Sequence, residues 1–129
     1  MGKYLDTSNP VLVQGTLVDD SRGRLISLES LDAFFTIKRS FTITSSEDSL
    51  VRGGHAHKIC WQLIYPIFHS LEIVFKNKHD SGMVLLSIGE GLIVPPYNWI
   101  ELKFLKAMDC AVVLASENYS KSDYIYEKP

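Results

Sequence analysis

Two histidines separated by one residue, His55 and His57, are the side chains best suited to chemistry in this sequence. They stand in the segment Arg-Gly-Gly-His-Ala-His-Lys, residues 52–58, directly before the apolar run 59–64. Side chains at i and i+2 of a β-strand point to the same face, so a strand here would place the two imidazoles side by side. Imidazoles serve near neutral pH as proton carriers or metal ligands.

Four interpretations of this pair are open from the residues alone. The histidines could be held by local hydrogen bonds, bind a metal, perform metal-free acid–base chemistry, or line a binding pocket without turnover. A metal centre would normally need a further carboxylate and a third histidine. Gln62 stands roughly where the carboxylate would be wanted, and the segment after Pro95-Pro96 offers Glu101 but no histidine. We therefore expect no metal and no cofactor.

Arg39 is the second residue that calls for a chemical explanation. The run 35–44 alternates between apolar and polar residues, as in a half-buried antiparallel strand, and Arg39 falls on the apolar face. An unpaired charge among hydrophobic side chains is costly, so the guanidinium needs a partner. The partner could be an internal carboxylate, Glu101 or Glu29, or it could be an anionic ligand.

The elements that must position these side chains are short strands. Apolar runs recur at intervals of roughly 8 to 12 residues between turn-forming segments, which predicts an all-β sandwich or barrel. A single helical turn is predicted at residues 30–33. Alternation along the run 59–67 would place Trp61 and Leu63 on the same face as the histidines, in the barrel interior, with the strand ending near Tyr65 because Pro66 cannot donate to a ladder. The predicted strands are 11–18, 25–28, 34–44, 59–67, 71–75, 83–87, 92–94, 99–104 and 110–115.

Length, charge and composition restrict the class of protein. The 129 residues indicate one domain over residues 1–129, and a net charge of −2 without a Lys/Arg cluster argues against nucleic-acid binding. The apolar runs are too short to span a bilayer, and the N-terminus lacks the apolar segment of a signal peptide, so a cytoplasmic protein is expected. Cys60 and Cys110 lie inside apolar runs and are expected to be buried free thiols.

A family resemblance is carried by several sequence blocks. The heptapeptide 52–58 resembles the RGGHAHK signature of the sugar 3,4-ketoisomerases, the FdtA/QdtA-like (WxcM-like) cupins. Four further blocks look like family motifs and occur in the family's order, over roughly residues 17 to 126. They are D-S-R-G-R-L at 20–25, F-T-I-K-R at 35–39, G-L-I-V-P-P followed by Trp99 at 91–99, and V-L-A-S with the closing Y-x-x-x-D-Y-I at 113–125.

This resemblance implies a cupin-type jelly-roll β-barrel that works without a metal. It implies an isomerase that moves the carbonyl of a dTDP-4-keto-6-deoxyhexose from C4 to C3 through an enediol, in the synthesis of deoxysugars for surface polysaccharide. It also implies a homodimer, in which strand 11–18 could be exchanged. His55 and His57 would be catalytic, with His57 the more direct base. The implied substrate-binding residues are Arg22, Arg39 and Arg52 for the pyrophosphate or the developing enolate, Trp99 for stacking, and Glu101.

Several positions depart from the family pattern and keep rival functions open. Thr42 stands where the family often has tyrosine, Trp61 replaces a histidine or other polar residue and would narrow the pocket, and Tyr126 stands where the closing motif has arginine. The turn at 68–70 is Phe-His-Ser instead of a small-residue turn, and the hairpin turn at 77–82 is longer. The rivals are a 3,5-epimerase-like sugar-nucleotide enzyme, a non-catalytic nucleotide-sugar-binding cupin, and a metal-dependent cupin oxygenase.

Overall fold

Twelve β-strands and two short 3-10 turns make up the described part of the chain, residues 7–129 of the computed structural model. The turns are Leu31–Ala33 and Lys121–Asp123. The strands are β1 (Val11–Gln14), β2 (Thr16–Asp20), β3 (Gly23–Ser27), β4 (Arg39–Thr44), β5 (Leu50–His57), β6 (Gln62–Pro66), β7 (Leu71–Lys76), β8 (Ser81–Leu86), β9 (Glu90–Val94), β10 (Trp99–Phe104), β11 (Cys110–Ala115) and β12 (Tyr124–Ile125).

Two five-stranded antiparallel sheets form the jelly roll. The first sheet has the order β1-β9-β6-β11-β4, and the second has the order β12-β5-β10-β7-β8. Strands β2 and β3 form a separate hairpin outside both sheets. The all-β architecture predicted from the spacing of the apolar runs is thus confirmed. None of the described helical segments has the length and apolar character needed to cross a membrane.

The main core lies between the two sheets and follows from alternation along each strand. In β10, Ile100, Leu102 and Phe104 are buried in this core, whereas Glu101 and Lys103 are less buried and occupy the alternate positions. Full burial of one such aliphatic or aromatic side chain stabilises the fold by roughly 1.5–3 kcal/mol. The interior is therefore apolar over most of its length, and a charged or polar side chain within it stands out.

The N-terminal strand differs from the prediction. The expected strand 11–18 is divided at Gly15 into β1, which pairs with β9, and β2, which belongs to the hairpin. A Cβ atom at Gly15 would lie 2.5 Å from the Ser27 carbonyl oxygen, so a larger residue would not fit at this corner. The chain therefore leaves the first sheet after four residues of β1.

The alternation predicted for residues 59–67 is also wrong. β5 ends at His57 in the second sheet and β6 begins at Gln62 in the first sheet, so the chain changes sheets between them and the alternation is reset. Trp61 and Leu63 pack in a separate cluster with Phe35 outside the interior, while Ile64 belongs to the main core. Trp61 therefore does not narrow a pocket beside the histidines.

Cys60 and Cys110 are both free thiols, as expected. Cys60 is buried, but Cys110 is only partly so.

Candidate active site

A β-bulge built on two glycines aims the end of β5 into the barrel. His55 pairs with Ile100, but Gly53 pairs with Glu101, so Gly54 is the extra residue on β5. Gly53 and Gly54 have φ values of 96° and 88°, which L side chains rarely adopt. A Cβ atom at Gly53 would also lie 2.9 Å from the Ile100 carbonyl oxygen. The glycine pair is therefore required by the backbone that presents the histidines.

His55 and His57 lie side by side, as their spacing predicts. Their ring centroids are 5.2 Å apart and the ring planes are nearly perpendicular, at 84°. His57 is buried, with 6% of its surface exposed, whereas His55 is half-buried. The interior end of β5 thus holds two imidazoles in mutual contact, one of them almost fully shielded from solvent.

Asp123 fixes the orientation of His57. The His57 Nδ1 atom lies 2.8 Å from Asp123 Oδ2, and both side chains are buried. Asp123 also accepts hydrogen bonds from the backbone N–H groups of Lys58, Ile59 and Cys60, at 3.1, 2.7 and 3.4 Å. A carboxylate held this way acts as an acceptor, so Nδ1 carries the proton of the neutral ring and Nε2 keeps a free lone pair. That Nε2 atom is buried without a hydrogen-bond partner.

Burial keeps both imidazoles neutral. Desolvation, aided by the neighbouring His57, lowers the pKa of His55 from 6.5 to about 4. Desolvation also lowers the pKa of His57; Asp123 opposes this shift, and the positive charge of Arg39 adds to it. Both rings can therefore accept a proton at neutral pH.

Arg39 lies close to the histidines without an internal carboxylate partner. Its guanidinium stands 4.8 Å from the centroid of Phe41 and 5.9 Å from that of Tyr119, and its buried Nε atom has no hydrogen-bond partner. Glu101 occupies the opposite face of β10 from the core residues, and Glu29 is exposed. Among the described residues, neither of these carboxylates therefore pairs with Arg39, which favours the alternative of an anionic ligand or intermediate as the partner.

Tyr124 of β12 and Tyr126, directly after this strand, extend the aromatic surface beside the histidines. β12 pairs with β5 in the register Tyr124 to His57. The Tyr124 ring centroid lies 4.7 Å from that of His55 and 4.5 Å from that of His57. Tyr126 stacks on Tyr124 at 5.8 Å and is mostly exposed. The four rings form a compact array at the edge of the second sheet.

A small interior cavity of about 70 Å³ adjoins this array. Its polar lining comes from His55, Gln62 and Tyr124, and its apolar lining includes Phe41 and Ile100.

Thr42 follows Phe41 in β4, and its side chain is exposed on the other face of that strand. A tyrosine at position 42 would therefore point away from the cavity, and the departure from the family pattern at that position leaves the site's lining unchanged.

The structure does not bring the other predicted site residues to the histidine pair. Arg22 is paired with Asp20 on the exposed hairpin. Arg52 is exposed and donates to the Thr44 carbonyl at 2.8 Å.

Trp99 packs with Ala56, which occupies the position between the two histidines and so lies on the opposite face of β5. Glu101, as noted above, is also directed away from the interior.

The sequence prediction missed Asp123 and Tyr124 as site residues. They lie 66 and 67 positions after His57 in the chain and reach it through the pairing of β12 with β5. Both belong to the closing D-Y-I block of the family resemblance, which was the one signal that could have identified them.

One group of described residues could offer three metal ligands at the site. Donor atoms of His57, Cys60 and Asp123 lie within 4.8 Å of one another, and all three residues are buried. Both carboxylate oxygens of Asp123 already accept hydrogen bonds from backbone N–H groups, and one of them also contacts the imidazole. The arrangement is that of a hydrogen-bonded histidine–aspartate pair, in which His57 Nδ1 and both Asp123 oxygens have protein partners.

Comparison with known proteins gives consistent matches over most of the chain. The family model FdtA, described as WxcM-like, C-terminal, matches residues 8–129. The TDP-4-oxo-6-deoxy-alpha-D-glucose-3,4-oxoisomerase of Aneurinibacillus thermoaerophilus is 32% identical over an alignment of 112 residues, and the match covers 82% of this chain and 78% of that protein.

Two solved structures of the QdtA 3,4-ketoisomerase from Thermoanaerobacterium thermosaccharolyticum have the same fold. A double mutant in complex with TDP is 31% identical, with a TM-score of 0.81 over 95% of this chain and 90% of that one. A variant in which one histidine is replaced by asparagine, in complex with TDP-4-keto-6-deoxyglucose, is 29% identical, with the same TM-score and coverage.

Proposed function

We infer the function of this chain from its family and its site: it belongs to the FdtA family (WxcM-like, C-terminal) and is a sugar 3,4-ketoisomerase. The reaction moves the carbonyl group of a TDP-linked 4-keto-6-deoxyhexose from C4 to C3. The observation that carries the proposal at the level of atoms is the buried His57, whose Nδ1 is held by Asp123 and whose Nε2 lone pair has no protein partner.

His57 is proposed as the base that moves hydrogen between the two carbons. Nε2 removes the proton from C3, which is acidic because C3 is adjacent to the C4 carbonyl, and an enediolate forms. The same nitrogen then returns a proton to C4, so that the carbonyl appears at C3 and no hydrogen, oxidant or reductant is gained or lost overall. A neutral imidazole with a pKa below 6.5 is available for this step at neutral pH.

Arg39 and His55 are proposed to stabilise the charge that develops on the sugar oxygens. The Arg39 guanidinium has an unpartnered buried Nε atom and lies near enough to His57 to influence its pKa. A fixed positive charge next to an enediolate lowers the barrier, because it is already oriented when the negative charge appears. His55 contacts His57 and is proposed to hold a sugar hydroxyl group in place.

The assembly proposed for this activity is a homodimer. The β2–β3 hairpin and β1 carry exposed apolar side chains, with Val11, Leu12, Leu17, Val18 and Leu25 each 41–56% exposed. A second copy that covers this surface would remove it from water, and strand exchange around Gly15 is one way to do so.

In such a dimer the hairpin residue Arg22 is proposed to bind substrate from the partner, while Arg52, Trp99 and Glu101 are proposed to act from the margin of the site. The proposed setting is the cytoplasm, in deoxysugar synthesis for surface polysaccharide.

NMR of the product formed from TDP-4-keto-6-deoxyglucose tests the proposed function. The expected product is the 3-keto isomer, formed without added metal or cofactor. A protein that is thermally stabilised by the nucleotide sugar but forms no product would contradict the proposal and support a binding function. Sedimentation of the same preparation tests the dimer separately.

A further inference from the structure

We propose that Tyr124 is a further catalytic residue, which carries the proton that must pass between the two reacting sugar oxygens. This inference rests on the proposed ketoisomerase function and adds a second proton carrier to it. The first carrier, His57, serves the carbon atoms C3 and C4. Tyr124 would serve the oxygen atoms on the same two carbons.

Two hydrogen transfers are required for the isomerisation to balance. When C3 loses its proton, the C4 oxygen gains one and an enediol results. When C4 gains its proton, the C3 hydroxyl loses one and becomes the new carbonyl. The phenol of Tyr124 can donate its proton to the C4 oxygen and recover one from the C3 hydroxyl, so the residue ends the cycle unchanged.

The imidazoles are poorly suited to this second transfer. His57 uses Nδ1 to contact Asp123 and has one nitrogen left, which the carbon transfer occupies. His55 resists a positive charge, since burial and its neighbour lower its pKa to about 4. A neutral imidazole that donates its N–H proton would become an anion, which is a high-energy species. A separate group with a readily dissociated proton is therefore needed.

Tyr124 is the phenol whose position meets that need. Its ring lies against both imidazoles, at 4.7 and 4.5 Å between centroids, and it lines the same cavity as His55 and Gln62. Burial raises the pKa of its phenol, while the positive charge of Arg39 and hydrogen bonding to that guanidinium act in the opposite direction. Arg39 would thus stabilise the phenolate during the interval in which the enediol holds the proton.

Tyr119, which also lies near Arg39, lacks this combination of contacts. Tyr119 is 64% exposed; its ring lies near Arg39 and Tyr124, and none of its ring contacts within the described chain is to an imidazole. It is therefore a matched control, since it shares the neighbour Arg39 and the phenol but not the position beside the histidines.

The test is the variant Tyr124→Phe, which keeps the ring and removes the hydroxyl group. TDP-4-keto-6-deoxyglucose is incubated in heavy water, and NMR follows two rates: formation of the 3-keto product, and deuterium exchange at C3 of the recovered substrate. The product rate is expected to fall about 100-fold, because a positioned acid–base group is typically worth 10²–10⁴ in rate. Exchange at C3 should fall less, so the ratio of exchange to product formation should rise at least about tenfold. Tyr119→Phe should change neither rate by more than about twofold.

Three outcomes would overturn the proposal. An unchanged product rate in Tyr124→Phe would show that the hydroxyl is not needed. An equal fall in both rates would show that Tyr124 acts through packing of the imidazoles, since a purely structural role does not alter the ratio. If the unaltered protein forms no 3-keto product, the proposed function fails and this inference fails with it, whereas the first two outcomes leave the proposed function standing.

Discussion

Two histidine–aspartate pairs lie at opposite ends of β6, and they differ chiefly in the exposure of the histidine. His57 and Asp123 meet near the strand's beginning, whereas His69 and Asp109 meet beyond its end, where the chain turns into β7. In both pairs the aspartate is buried and contacts Nδ1. The His57 side chain is 6% exposed, but the His69 side chain is 50% exposed.

The volume of the cavity beside each histidine–aspartate pair does not indicate which pair is the candidate active site. The His69 pair adjoins a cleft of about 890 Å³ between the hairpin and the barrel, and the His57 pair adjoins a cavity of about 70 Å³ that is lined by its neighbour His55. In the large cleft, Arg24 is already bound to Asp19 and to the carbonyl groups of residues 67 and 68. Next to the small cavity, whose lining includes their neighbours Phe41 and His55, Arg39 and His57 both retain buried nitrogen atoms without partners. Unsatisfied buried donors and acceptors, more than volume, mark the site that can do chemistry.

Replacing each histidine by asparagine should give the largest contrast. His57→Asn removes the proposed base, so kcat should fall by about 10³-fold or more, in line with the value of a general base. His69→Asn should keep kcat within about twofold, because His69 is half-exposed at the other end of the strand. Turnover by NMR and thermal melting of both variants make the comparison. Equal losses of activity would remove the distinction between the two pairs.

Replacing each aspartate by asparagine should separate catalysis from stability. In Asp123→Asn the amide cannot hold His57 as a carboxylate does, and kcat is expected to fall about 10²-fold or more. Asp109→Asn weakens contacts to His69 and to the Lys106 backbone N–H, so it should lower the free energy of unfolding by about 1–3 kcal/mol and spare kcat. Denaturant unfolding and steady-state kinetics of both variants supply the two quantities. A large loss of kcat in Asp109→Asn would contradict this assignment.

Alanine substitution at two glycines compares the backbone below the histidines, at Gly53, with the backbone of the hairpin, at Gly23. Gly53→Ala would combine a positive φ with a Cβ atom 2.9 Å from the Ile100 carbonyl oxygen, so it should destabilise the fold by about 1–3 kcal/mol and distort the bulge below His55. Gly23 also has a positive φ, in the hairpin, but a Cβ atom there meets nothing within 4 Å. Gly23→Ala should therefore cost less. Equal melting temperatures for the two variants would count against a strained bulge.

Lowering the pH should decrease the stability of the folded protein because the imidazoles are buried, and we expect this effect to be the smallest. Because the pKa of His55 is about 4 in the folded protein and near 6.5 when unfolded, the unfolded chain binds protons that the folded chain excludes between these values. Stability should therefore fall as pH decreases from about 6.5 to 4, and His57, whose pKa is also lowered, should act in the same direction. Denaturant unfolding of the unaltered protein and of His55→Gln measures this, and the variant should show a flatter dependence on pH.

The sequence was informative where the relevant pattern is local. Spacing predicted most of the strands, although β5 was not among them, and the separation of the two histidines by one residue predicted adjacent imidazoles. Alternation predicted the inward position of Arg39. The predicted position of Trp61 was wrong because the alternation of residues does not show that the chain changes sheets between residues 57 and 62.

The partners of the histidines could not be found by local pattern. Asp123 and Tyr124 reach His57 through a pairing of two strands, and the short β12 has no alternation long enough to identify it. An acceptor for three consecutive backbone N–H groups is also a three-dimensional property, because those groups become available only where the chain leaves β5 and crosses to the other sheet. Motif resemblance covered this segment but did not say what its residues contact.

The position at which hydrogen is exchanged tests the central claim most directly. The unaltered protein is incubated in heavy water with TDP-4-keto-6-deoxyglucose, and NMR locates the deuterium in the product. A histidine base that works between C3 and C4 predicts a 3-keto product with deuterium at C4 and none at C5. Deuterium at C5 would contradict the account and indicate 3,5-epimerisation instead.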